Sequence, residues 1–134
     1  MNLIRPIFLL AISLTAAACT GEEKKSPQLI EANRLHLEAI KISKELESKL
    51  ESLSSGAGSD ARKSQIDSLK NLIEMWEENV VEVPGFAHAH DHGHGAHEHK
   101  SAPPMTDESM LDYQRQSRAA IDELKEAIAN IDSL

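Results

Sequence analysis

Ile66-Asp67-Ser68-Leu69-Lys70-Asn71-Leu72-Ile73-Glu74-Met75-Trp76-Glu77-Glu78-Asn79-Val80-Val81-Glu82-Val83 is the stretch on which the fold turns. Ile66, Leu69, Ile73, Trp76, Val80 and Val83 recur at spacings of 3, 4, 3, 4 and 3, with charged and amide side chains between them. A single apolar stripe at that period belongs to an amphipathic α-helix with one face on a core. The spacing predicts a helix from about Asp60 to Val83, capped by Ser59 or Asp60 and ended by Pro84-Gly85.

Working outward, the same period appears on both sides. Leu35, Ala39, Ile42, Leu46, Leu50 and Leu53 predict a first helix from about Pro27 to Leu53, with Ser26 as cap and Pro27 at its first position. Leu29, Ile30, Leu37 and Ile40 widen the apolar arc of its first half, which predicts burial there on more than one side. Ser54-Ser55-Gly56-Ala57-Gly58-Ser59 breaks the chain with two glycines, and so short a connection makes the next helix an antiparallel neighbour. A third helix is predicted from Thr106 as cap to about Asp132, on Met110, Leu111, Ile121, Leu124, Ile128 and Ile131. At ~1.5 Å per residue, helices of about 27, 24 and 27 residues each span roughly 36–40 Å. Matched lengths and one stripe apiece predict an all-α fold, an up-down-up three-helix bundle over residues 27–134. A two-helix hairpin that dimerises is the alternative.

Composition narrows the function. The net charge of −8 argues against nucleic acid and against electrostatic adsorption to anionic lipid. Phe8, Phe86, Trp76 and Tyr113 are the whole aromatic complement, fewer than enclosed small-molecule pockets usually recruit. The core must be aliphatic.

The beginning of the chain reads as a targeting segment. Arg5 precedes an apolar run from Ile7 to Leu14, too short for the ~20 residues of a membrane-spanning helix. Thr15-Ala16-Ala17-Ala18 then leads to Cys19, the one cysteine in the chain. Small residues before a cysteine resemble the lipobox of bacterial lipoproteins, although Ala16 stands where most lipoboxes carry Leu. The resemblance implies that residues 1–18 are a signal peptide and that Cys19 becomes an acylated first residue. Acyl chains at ~0.8 kcal/mol per buried CH₂ would hold residues 19–26 to membrane lipid as a tether. Loss of residues 1–18 takes Arg5 with it and moves the formal charge from −8 to −9. The other reading is an ordinary secretory peptide cut after Ala18, leaving a free thiol. Glu22-Glu23 resembles the acidic signal that marks surface export of lipoproteins in some Gram-negative phyla, or is a solvated spacer. The expected location is the envelope: the outer membrane or cell surface ahead of the inner membrane.

Between the second and third helices about 22 residues run from Val83 to Met105, long for a bundle. Six of the chain's seven histidines sit there: His88, His90, His92, His94, His97 and His99, with Asp91 and Glu98 among them. Neutral imidazole is a good ligand for Zn²⁺, Ni²⁺ and Cu²⁺, and tetrahedral Zn²⁺ needs four donors. His-x-His spacing in a long, disordered, glycine-broken loop over residues 87–99 supplies spare donors, which predicts weak, exchangeable metal binding. The segment resembles the histidine-rich loops of zinc transporters and periplasmic zinc-uptake proteins. That resemblance implies a metal class, zinc above all, and a transporter or other envelope protein as a partner. An incidental polar linker is the plain alternative. An up-down-up order would put this loop at the tethered end of the bundle.

Elsewhere the residues point to structure. His36, between two apolar arcs, and Met75, Met105 and Met110 read as packing side chains, and Trp76 as a core anchor. No serine stands in a nucleophile elbow, and Glu98 between His97 and His99 lacks the i, i+4 helical spacing of zinc enzymes, so no enzyme is expected. His36-Leu37-Glu38-Ala39 and Glu74-Met75-Trp76 give a further resemblance, over residues 29–131, to small helical bacterial lipoproteins labelled viral A-type inclusion-like. That label implies no activity. The sequence thus predicts an anchored lipoprotein that binds, buffers or hands over a divalent transition metal. Its rivals are a structural or interaction module and a pH-responsive module in which seven protonated histidines move the charge from −9 to −2.

Overall fold

The computed structural model describes residues 24–86 and 100–132. They form three helices: α1 (Pro27–Ser55), α2 (Asp60–Asn79) and α3 (Asp107–Asp132). The described residues hold no strand, and an isolated parallel bridge pairs Val81 with Lys100. None of the described helices is long and apolar enough to cross a membrane.

The helix starts follow the sequence. Ser26 Oγ accepts from the Leu29 amide with Pro27 next to it, Ser59 Oγ accepts from the Arg62 amide, and Thr106 Oγ1 accepts from the Ser109 amide. Each cap satisfies one of the orphan donors of a first turn. The first helix runs two residues past the predicted Leu53, and Gly56 N–H then returns to the Leu53 carbonyl and Ala57 N–H to the Ser54 carbonyl.

One core holds the helices together as a bundle. Ala39, Ile42, Leu46 and Leu50 of α1 meet Ile66, Leu69 and Ile73 of α2 and Ile121 and Ile128 of α3. Trp76 lies half-buried against this cluster and donates its indole N–H to the Ser117 carbonyl at 2.9 Å. Interhelical polar contacts frame it: Arg118 to Glu38 at 2.7 Å, Lys49 to Asp132 at 2.8 Å, and Arg62 to the Ile131 carbonyl at 3.2 Å. A second cluster joins Ala32, Val81, Val83 and Met110, with Leu29, Phe86, Ala102, Met105, Leu111 and Tyr113 around it. His36 is packed away as the sequence suggests, and more deeply than a core edge, at 2% exposure.

Two expectations about helix extent and breadth are corrected, besides that for Met75, read as a packing side chain and found 57% exposed. The second helix ends at Asn79, not Val83, leaving 27 residues before α3. Val80 donates a last bond to the Trp76 carbonyl but has φ −65° and ψ 131°, which is extended. β-branched residues favour that region, and Pro84 excludes the helical region for Val83. Val80 and Val83, the last members of the stripe, are still buried, and Val81 joins Val83 because a period of two puts both on one face of an extended run. The wide apolar arc of α1 is the other correction. Ile40 is buried and Leu29 half-buried, but Ile30 is 55% and Leu37 37% exposed, since α2 and α3 cover only one side of the helix.

Candidate functional site

The sequence-predicted site residues, Cys19, His88, His90, Asp91, His92, His94, His97, Glu98 and His99, all lie outside the described residues. The expected disordered loop over 87–99 lies outside them too. Among the described residues no three His, Cys, Asp or Glu side chains come together in a way that could hold a metal ion. What the structure describes is the pair of feet from which the histidine segment leaves and to which it returns.

The first foot begins where α2 stops. Asn79 folds its side-chain amide back onto the Met75 carbonyl at 2.7 Å. Beyond it, Val81 bridges Lys100, the Glu82 amide donates to the Lys100 carbonyl at 3.3 Å, and Lys100 Nζ donates to Asn79 Oδ1 at 3.0 Å. Phe86 and Lys100, the last and first described residues around the segment, thus belong to one small knot. Pro84-Gly85 makes its turn, with Gly85 at φ 78°, where a side chain would be strained. A Cβ there would also stand 3.4 Å from Lys25 Cε. The Lys25 ammonium lies 4.9 Å from the centre of the Phe86 ring, a cation–π contact. Lys25 is six residues from Cys19 in sequence, so the first foot sits against one of the last residues of the expected 19–26 tether.

α3 grips the knot from the other side. The Tyr113 hydroxyl donates to the Asn79 carbonyl, and Gln114 Nε2 donates to the Val81 carbonyl, both at 2.7 Å. Gln114 is wholly buried, and its Oε1 has no hydrogen-bond partner. Burial holds the Tyr113 phenol above its ordinary range, partly offset by its bond to the Val81 backbone. Sequence reading passed over Asn79, Lys100, Tyr113 and Gln114. One signal was visible: Gln114 occupies a core register of α3, four residues after Met110 and seven before Ile121.

Two concavities are present among the described residues, the first beside this knot. A groove of about 470 Å³ at the start of α1 is lined by Lys24, Lys25, Ser26, Leu29, Pro84, Gly85 and Asp107. A smaller one of about 190 Å³ between α1 and α2 is walled by Glu47, Glu51, Lys70 and Glu74 over Leu50 and Ile73. On the surface, Arg34 pairs with both Glu31 and Glu38, and Arg118 reaches Glu38 from α3. The Arg34 guanidinium holds both carboxyls below the usual carboxylate range, with Arg118 helping at Glu38. These pairs are solvated and contribute little to stability. No family model matches the chain, and no curated protein or solved structure matches it either.

Proposed function

We propose that this chain is a lipid-anchored envelope protein that binds, buffers or hands over a divalent transition metal, zinc first, through His88, His90, His92, His94, His97 and His99. Asp91 and Glu98 assist as oxygen donors, and Ni²⁺ or Cu²⁺ are the other ions that suit imidazole. Its role is binding and not catalysis. The observation that carries the reading is chemical: six imidazoles fall within twelve residues of a chain that has only one other histidine.

Topology supports the placement. We read the bundle as up-down-up. Glu38 meets Arg118 and Lys49 meets Asp132, so α1 and α3 rise together, whereas Arg62 meets Ile131 and Trp76 meets Ser117, so α2 runs against them. In that order the feet of the histidine segment and the end of the tether share one end of the bundle. Acylated Cys19 would then keep the imidazoles close to the membrane surface, where a metal transporter or another envelope protein could meet them. Ligation needs neutral imidazole, so the store empties as pH falls.

The test deletes residues 87–99 in the native host and follows growth in zinc starvation and in zinc excess. The reading expects a defect in at least one condition; normal growth in both refutes it. Normal growth would favour an interaction module. For that second reading the specific observation is the exposure of Ile30 and Leu37 on α1 and of Leu72 and Met75 on α2.

A further inference from the structure

The net charge of −8 averages over two unlike parts of the chain. Residues 24–44 carry five basic and two acidic side chains, a formal charge of +3, whereas residues 45–134 carry eight basic and eighteen acidic ones, a charge of −10. The basic part is the start of α1 with the two lysines before it. There Ile30, Arg34, Leu37, Lys41 and Lys44 recur at spacings of 4, 3, 4 and 3, so they share one face of the helix. All five are exposed, because α1 turns Ala32, Ala39, Ile42 and Leu46 to the core instead. Arg34 pairs with Glu31 and Glu38, and Lys41 lies 3.8 Å from Glu45, yet no acidic residue occupies the stripe itself. Glu38 is turned toward α3, where Arg118 meets it.

We infer that this face of α1 lies on an anionic membrane surface. The inference rests on the lipid-anchored reading above. Lys24 is five residues from Cys19, a reach of at most ~18 Å, so an acylated Cys19 holds the start of α1 at the bilayer. Ile30 and Leu37 enter among the headgroups, while Arg34, Lys41 and Lys44 meet lipid phosphates, the arrangement of a helix that lies in an interface. Each cation near an anionic leaflet strengthens binding about fivefold. Screening ends at ~8 Å in physiological salt, so the lipid responds to the face against it and not to the sum over the chain. The acidic remainder of the bundle is left on the side away from the lipid. By itself the face adsorbs weakly and reversibly: the acyl chains hold the protein, and the face orients it.

The experiment uses the processed chain, residues 19–134, carrying Cys19→Ser so that no acyl chain contributes. It is sedimented with vesicles of phosphatidylglycerol and phosphatidylcholine in equal parts, and with vesicles of phosphatidylcholine alone. The protein should follow the mixed vesicles in low salt, leave them at about 0.5 M salt, and ignore the neutral ones. Lys41→Gln and Lys44→Gln should each weaken the partition about fivefold, and Ile30→Ser with Leu37→Ser should weaken it too, all with the helical circular dichroism unchanged. Lys125→Gln, at an exposed site on α3, should change nothing. If the chain binds neither kind of vesicle, or if Lys125→Gln weakens binding as much as Lys41→Gln does, the oriented face is overturned. Capture by a polyglutamate peptide and not by vesicles would overturn it as well, and would assign the face to an acidic protein. The anchor is judged separately, by the acyl mass on the wild-type N-terminal fragment, so the face can fail while the anchor stands.

Discussion

Replacing Gln114 by Glu tests the buried tie through its pH dependence. The two side chains have nearly the same shape, so packing against Met110 and Val81 is retained. The change converts the Nε2 donor, 2.7 Å from the Val81 carbonyl, into an oxygen. A carboxylate there would face a carbonyl in a site without water, whereas a protonated carboxyl can donate as the amide does. The folded state therefore holds the proton and raises the pKa above its unfolded value of about 4.3. A group raised in this way contributes stability that is whole below its unfolded pKa and is lost as pH rises through the folded one. At about 1.4 kcal/mol per pH unit, the interval from about pH 4.3 to about pH 7 sets a ceiling near 3.7 kcal/mol. That is a large share of the ~5–15 kcal/mol that stabilises a typical domain. Urea unfolding of variant and wild type, followed by far-UV circular dichroism, gives the difference at each pH and cancels the chain's other carboxyls. Near pH ~4 the two proteins should be almost equally stable, and near pH ~7 the variant should be weaker by about 3 kcal/mol. Gln114→Met, which carries no proton, should show a deficit that does not change with pH. An equal deficit at both pH values for the Glu variant would refute the reasoning, because it would mean that water reaches the Val81 carbonyl.

Ile121→Ala empties a fully buried position shared by all three helices and should cost about 2–5 kcal/mol in urea unfolding, while Met75→Ala, at a site 57% exposed, should stay within about 0.5 kcal/mol. Because burial raises the Tyr113 pKa, wild-type stability should fall as pH climbs past about 10, and Tyr113→Phe should lack that fall in a series of thermal melts. Zinc affinity, measured by competition with a chromophoric chelator, should drop steeply below about pH 6.5 as the imidazoles protonate, and a flat profile would point to carboxylate ligands. Cys19→Ser should move the protein from the membrane fraction to the soluble one, and the mass of the wild-type N-terminal fragment should exceed that of its peptide by the acyl groups.

Helix number, helix starts and the main core were legible because each helix carries its own evidence, a stripe at 3.6-residue period and a hydroxyl cap; glycines also marked the end of α1, whereas Pro84-Gly85 marked a stop four residues beyond the true end of α2. The polar residues around Val81 were not legible. Nothing local to Lys100 marks it as a partner of Asn79 and Val81, since the pairing spans about twenty residues and depends on where α3 places Tyr113 and Gln114.

By itself the sequence determined that the chain is helical, where its helices start and which side chains fill the main core, since periodicity and capping are properties of neighbouring residues. It also carries the whole case for acylated Cys19 and for the metal-binding histidines, which lie outside the described residues. Only the tertiary structure decided that α2 yields to an extended run at Val80, that Ile30 and Leu37 face solvent, that Val81 pairs with Lys100, and that Phe86 lies under Lys25. Those outcomes depend on which helix covers which face, and an apolar stripe does not name its partner.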